Sequence, residues 1–252
     1  MNIVKIGATT LGTDQPKIAV PIIGTTETEI ISAAKKIVLA KPDLVEWRID
    51  YFSQVTDNAM LSEIGNKLKD ILEGLPLLVT FRTKSEGGNL SLAENQYIQL
   101  CKQVCEGDYA DAVDVELNHD SEQIERLVDY IHQNKKVVIM SNHDFKSTPD
   151  ETEIIIRLTA MQNIGADVLK IAVMPNSAAD VLTLMTATSK ASTSLQQPIV
   201  SMAMGDLGKV TRISGQLIGS SMTFATVGEV SAPGQMGVEN VRLAMQLLQN
   251  FN

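Results

Sequence analysis

The sequence predicts a closed barrel of eight parallel strands, each followed by a helix, and three observations predict it. Eight short apolar segments alternate with eight segments of helical spacing. Most of the apolar segments are unbroken rather than alternating, as in strands covered on both faces. No linker rich in Gly, Pro or Ser divides the 252 residues, a length close to the ~250 of a single (β/α)8, or TIM, barrel. One α/β domain over residues 1–252 follows. An open doubly wound sheet is the main alternative, but no GxGxxG opens a helix, so dinucleotide binding has no support.

Taken in order, the apolar run 17–23 is the first strand and 26–40 its helix. The segments LVEWR (44–48) and LLVTF (77–81) are followed by helical spacing over 58–72 and 91–105. AVDVE (112–116) leads to 121–133, and KVVIM (136–140) to 150–163. VLKIA (168–172) precedes 178–191, PIVSMAM (198–204) precedes a shorter helix over 211–218, and MTFAT (222–226) precedes 237–249. Residues 4–9 fit none of these units and read as one additional strand closing the barrel floor.

Composition narrows the function. A net charge of −9 without any Lys- or Arg-rich run disfavours nucleic acid and anionic membranes as partners. The N-terminus lacks the apolar core of a signal peptide, and no apolar stretch reaches the ~18 residues that span a bilayer, so a cytoplasmic location is expected. Cys101 and Cys105 are the only cysteines and sit four apart in a helical segment. Without further ligands nearby they make a poor metal site and read as packing residues.

The residue that most asks for a reason is Lys170, set in the apolar run GADVLKIAVMP. Its stem can snorkel or pair with a carboxylate. A lysine withdrawn from water can also serve as a neutral amine that attacks a carbonyl and forms an imine. His143 strengthens the second reading. It lies one strand earlier, at the strand end SNHDF, with an ordinary pKa of ~6.5 suited to moving protons. His119 and His132 read as surface residues, and three scattered histidines do not make a metal site.

Charged residues gather at the C-terminal ends of the strands: Glu46, Arg48, Asp50, Arg82 with Glu86 beyond it, Asp114, Glu116, His143 and Asp144. On a barrel these ends converge on the mouth where active sites are built. Glu46, Arg48 and Asp50 alternate at period two and are expected to face inward together. An internal ion-pair ring is the plain alternative for the two acids. Arg48, Arg82 and Arg212 point to a substrate carrying a carboxylate and neighbouring hydroxyls, with phosphate as the rival anion. If Lys170 forms an imine, His143 is placed to remove the acidified proton, and Glu86 can hold its tautomer.

Six motifs, EWRIDYF, TFRTKSEGG, SNHDF, ADVLKIAVMP, SMAMG and SAPGQ, occur in this order along the chain. Together they resemble the type I 3-dehydroquinate dehydratases over nearly the whole chain after residue 16. The resemblance implies elimination of water from 3-dehydroquinate to give 3-dehydroshikimate, a step of aromatic amino acid biosynthesis through the shikimate pathway. It implies an imine on Lys170, no metal or organic cofactor, and often a homodimer. It further implies that His143 is the proton shuttle and Glu86 its partner. Arg212, Ser231 and Gln235 would grip the carboxylate, with Glu46, Arg48 and Arg82 on the ring hydroxyls. Gly228, Pro233, Gly234 and Gly237 bracket a segment expected to act as a lid. Pro21 departs from the family where some members carry serine. An imine-forming aldolase and a non-catalytic barrel binding a carboxylated metabolite remain as alternatives, since fold alone does not separate them.

Overall fold

Successive strand residues point to opposite faces, and here the two faces sort into two apolar layers. The computed structural model describes residues 2–13, 15–228 and 231–249. The barrel strands are β3 (Lys17–Ile22), β4 (Leu44–Arg48), β5 (Leu77–Thr80), β6 (Ala112–Glu116), β7 (Val137–Asp144), β8 (Val168–Val173), β9 (Ile199–Ala203) and β10 (Met222–Phe224). They form one parallel sheet in the order β10-β3-β4-β5-β6-β7-β8-β9. β9 meets the residues leading into β10 through an isolated bridge between Ile199 and Ser220, and Ser221 N–H donates to Ile199 O at 2.7 Å. The barrel therefore closes, as expected.

The main helices are α1 (Glu27–Leu39), α2 (Asn58–Leu72), α3 (Glu94–Glu106), α4 (Ser121–Gln133), α5 (Glu151–Ile164) and α6 (Ala178–Ser194). After β9 and β10 come α7 (Lys209–Ile213), α8 (Gly215–Ile218) and α9 (Val238–Gln249). Thr26, Asp57, Asp120, Asp150 and Ser177 begin five of them, each side chain accepting a first-turn N–H that has no partner within the helix. Among the described residues no helix is long and apolar enough to cross a membrane.

Outward-facing strand residues such as Val20, Trp47, Val79, Val115, Met140 and Ile171 pack against the helices. Trp47 meets the edge of Tyr109 with ring centroids 6.2 Å apart, and Tyr109 in turn lies over Gly65 on α2. Cys101 and Cys105 belong to this layer as free, buried thiols, pushed up to about 12 and about 11 by burial. Inside the barrel, Ala19, Leu44, Leu78, Ala112, Ile139, Val168, Val200 and Met222 form an apolar floor. Polar side chains enter the lumen only above it.

Four expectations need correction. Residues 4–9 do not form one strand: β1 (Val4–Ile6) and β2 (Thr9–Leu11) pair as an antiparallel hairpin, turning at Gly7 with φ 53°. Its Ile6 and Leu11 are fully buried against the floor. β7 runs on to Asp144, because its polar end SNHD keeps pairing with β8, His143 opposite Ala172. The helix expected over 211–218 breaks at Ser214 into α7 and α8. His119 is not a surface residue, since its ring stacks on buried Tyr97 at 4.2 Å.

Candidate active site

Lys170 stands in the middle of β8 with its side chain in the lumen, 4% exposed. Its Nζ lies 3.0 Å from Asp114 Oδ2 on β6 and 3.6 Å from Glu46 Oε1 on β4. The Phe224 ring lies 4.8 Å beneath the ammonium. The lysine is apolar-flanked along its strand but charge-compensated across the barrel.

Asp114 is fully buried and takes three donors: Lys170 on Oδ2, Arg82 Nη2 at 2.7 Å and Ser141 Oγ at 2.6 Å on Oδ1. Burial opposes its charge, but Arg82 and Lys170 overcome that and hold it at about 2. Arg82 also donates Nη1 to Glu116 at 2.7 Å and to Ser141 at 3.0 Å. Its Nη atoms are thus committed to the protein. Arg48 is held bidentately by Asp50, at 2.7 and 2.9 Å. Asp50 itself does not enter the lumen as its spacing suggested: the strand ends at Arg48, and residues 49–51 turn as a 3-10 helix.

His143 leaves the end of β7 beside the short turn Lys84–Glu86. Glu86 Oε2 lies 2.9 Å from His143 Nδ1, and Oε1 accepts from Asn118 at 3.0 Å and Asn142 at 3.3 Å. Burial, with Arg82, Lys170 and Arg48, holds the imidazole well below 6.5, so it is neutral at pH 7. Burial, reinforced by Glu116 and Asp114, pushes the Glu86 carboxyl up to about 8. Each of the two groups therefore resists its charged form. Donation from Nδ1 to Glu86 leaves the Nε2 lone pair free to act as a base.

Arg212, on α7, is 2% exposed and donates to Phe224 O at 3.3 Å and Pro233 O at 3.1 Å. Its Nε has no partner, and no carboxylate pairs with it among the described residues. Burial pulls it down to about 10. Such a cation is preset for an anion from outside. Across the loop, Gln235 accepts from Ser231 N–H at 2.8 Å and donates to Ser231 Oγ at 3.0 Å. The expected lid includes residues 229 and 230, which lie outside the described residues.

These groups share one cavity, about 520 Å³ of space open at the mouth. Glu46, Arg48, Arg82, Glu86, His143, Lys170, Arg212, Ser231 and Gln235, the nine residues to which the resemblance assigns a role, all line it. Met202, Met204, Phe145 and Phe224 supply an apolar wall. Among the described residues no three His, Cys, Asp or Glu side chains are grouped as a metal would need. The arrangement offers an amine, a neutral base, a set of hydroxyl partners and a free cation, the parts that imine-assisted elimination from a carboxylated ketone requires.

A family profile described as Type I 3-dehydroquinase matches residues 18–252. The chain belongs to that family. It is 50% identical over 246 residues to a 3-dehydroquinate dehydratase of Lactiplantibacillus plantarum, covering 98% of each. Its identity to a 3-dehydroquinate dehydratase of Klebsiella pneumoniae is 43% over 248 residues, covering 98% of this chain and 99% of that one. Among solved structures, the type I enzyme of Clostridium difficile with covalent modified comenic acid is similar, with TM-score 0.94, 38% identity and coverage of 98% and 97%. The 3-dehydroquinate dehydratase of Geobacillus kaustophilus superposes with TM-score 0.97 at 33% identity, covering 100% and 98%. As a type I 3-dehydroquinase, the chain is a hydro-lyase on a TIM barrel.

Within this type I framework, Pro21 is buried on β3 opposite Glu46 and lines a separate cavity with Ile23 and Thr25, not the lysine pocket. Sequence reasoning missed the supporting shell of Ser141, Asn142 and Asn118. Ser141 follows from strand parity once β7 is known to extend, since it pairs with Lys170, whereas Asn142 and Asn118 carry no such signal.

Proposed function

We propose that this hydro-lyase converts 3-dehydroquinate to 3-dehydroshikimate through an imine on Lys170, in the shikimate pathway of aromatic amino acid biosynthesis. Lys170 Nζ attacks the C3 ketone, and loss of water gives a protonated imine. That cation accepts electrons as His143 Nε2 takes the C2 proton; the C1 hydroxyl then leaves with the proton His143 returns. Water releases the enone and restores the amine.

The observation that carries this reading is a buried lysine and a neutral histidine on neighbouring strands of one pocket that also holds an arginine without a carboxylate partner among the described residues. Arg212, with Ser231 and Gln235, takes the carboxylate. Glu46 and Arg48 take the ring hydroxyls, while Arg82, engaged by Asp114 and Glu116, chiefly keeps the acids in place. The whole chain acts as one catalytic barrel. Family resemblance adds a homodimer, and a cytoplasmic location suits a biosynthetic enzyme of this kind.

The test is to mix the protein with 3-dehydroquinate, reduce with borohydride, and map the modified residue while following enone absorbance without reductant. A reduced adduct on Lys170 with growing absorbance is expected. Absorbance without an adduct rejects the imine, and neither signal rejects the activity.

A further inference from the structure

Asp114 has no part in the chemistry described so far, yet one of its oxygens touches the reacting nitrogen. Oδ1 is occupied by Arg82 Nη2 at 2.7 Å and Ser141 Oγ at 2.6 Å, whereas among the described residues Oδ2 has Lys170 Nζ alone, at 3.0 Å. Glu46 is the other carboxylate near Nζ, at 3.6 Å, and its Oε1 is shared with the Thr80 hydroxyl at 2.8 Å.

Proton counting distinguishes the two acids. A primary ammonium and a ketone give a protonated imine and one water, so the single positive charge at nitrogen is conserved. Its N–H count is not: three donors become one. The ammonium hydrogen-bonds Asp114 and has donors to spare toward Glu46, its ion-pair neighbour, whereas the protonated imine has a single N–H to direct.

We infer that Asp114 is a catalytic residue, the acceptor that keeps the single N–H of the protonated imine, while imine formation releases Glu46 to the substrate. The inference rests on the imine reading of Lys170. With Oδ1 fixed by Arg82 and Ser141, Oδ2 cannot turn away, so the N–H direction is set by the protein. The imine plane follows from that direction, and with it the face on which the C2 proton meets His143. Asp114 also matches the cation's charge within the barrel, where no water is needed to do so.

Asp114→Asn is the decisive variant. Its carbonyl must stay on Arg82 and Ser141, so its NH2 is forced against Lys170, donor against donor. At saturating 3-dehydroquinate the borohydride-trapped adduct, read by intact mass, is expected to fall at least about tenfold and kcat about 10²-fold. Binding of the alcohol formed by reducing the substrate's ketone, which forms no imine, is expected to stay within about threefold of wild type. Glu46→Gln, which loses part of the grip on the substrate hydroxyls, is expected to trap less adduct than wild type but several-fold more than Asp114→Asn at the same substrate concentration. Full trapping by Asp114→Asn, or loss of trapping in Glu46→Gln alone, overturns the assignment. If wild type itself gives no adduct, the imine reading has failed first.

Should Asp114→Asn not fold, crystals of His143→Ala soaked with 3-dehydroquinate decide the matter with Asp114 in place. Nitrogen to Oδ2 is expected to remain near ~3 Å, while Glu46 moves beyond its present 3.6 Å and onto a substrate hydroxyl. The opposite pattern overturns the inference.

Discussion

Glu86 Oε2 meets His143 twice, at the ring Nδ1 at 2.9 Å and at the backbone N–H at 3.0 Å. One oxygen therefore fixes both where β7 ends and how the imidazole faces the pocket. Oε1 is held in turn by Asn118 and Asn142, and Arg157 Nη1 on α5 donates to Asn142 Oδ1 at 3.0 Å, which keeps that amide turned toward Glu86. Glu86→Gln offers one acceptor where two are used. We expect kcat to fall roughly 10- to 100-fold with KM little changed, as for other groups that orient a reacting side chain. Steady-state kinetics checks this, and an unchanged kcat removes Glu86 from the orienting role.

The same pair sets a stability profile in pH. Glu86 moves from 4.5 to about 8 on folding, so across that window the folded chain binds more protons and stability falls as pH rises. His143, held well below 6.5, acts oppositely, since below 6.5 the unfolded chain binds more protons and stability is lost as pH falls. The two slopes oppose each other below 6.5, and above it only that of Glu86 remains. The melting temperature is expected to decline from pH 6.5 to past 8, and Glu86→Gln to flatten that decline. A wild-type curve flat over this range would place the Glu86 proton elsewhere.

For Lys170→Ala, turnover is expected to drop by about 10⁴-fold or more, the scale for loss of a covalent nucleophile. The structure adds a cost in stability that the sequence did not suggest. Asp114 Oδ2 loses the Lys170 ammonium, its one hydrogen-bond partner among the described residues, and breaking a buried pair costs about 3–5 kcal/mol. Enone absorbance and thermal melts measure the two effects; near-normal turnover would exclude the imine.

Arg212→Ala separates binding from stability. Losing charge-assisted bonds to a carboxylate should raise KM roughly 10- to 100-fold. Because Arg212 is a buried cation with no carboxylate partner among the described residues, its removal is expected to leave the melting temperature level or higher. An unchanged KM would take Arg212 out of the carboxylate site.

Gly65 tests the packing behind the barrel. It lies within α2, where alanine normally adds about 1 kcal/mol of helix stability. A Cβ there would sit 2.4 Å from the Tyr109 ring, which is wedged between Gly65 and Gly107. Gly65→Ala is expected to lower stability by about 1–3 kcal/mol in denaturant titration. A gain would show that Tyr109 can shift.

The barrel was legible because its strands are apolar on both faces and its helices carry a helical period; both signals are local. The pocket was legible because lumen charges fall at strand ends, one after another along the chain. What escaped depended on tertiary pairing. Asn142 and His143 continue β7 only because β8 lies beside them, and a polar SNHD run gives no local sign of that. Asp50 leaves the period-two series because the chain turns after Arg48, where its carboxylate also receives Asn89 N–H at 3.0 Å from a distant loop. That Lys170 could pair with a carboxylate was open, but its partner was not legible, because Asp114 lies 56 residues away in sequence. His119 read as surface because its shelter is Tyr97, on the preceding helix.

The hairpin beneath the floor has a consequence for traffic. With Ile6 and Leu11 sealed against the apolar layer, the barrel is a cup and not a tube. Substrate, enone and the expelled water all pass the rim where Phe145 and the Ser231–Gln235 loop stand. Arrival and departure cannot overlap, so an enone that lingers excludes the next substrate, and each catalytic cycle must empty the cup before another begins.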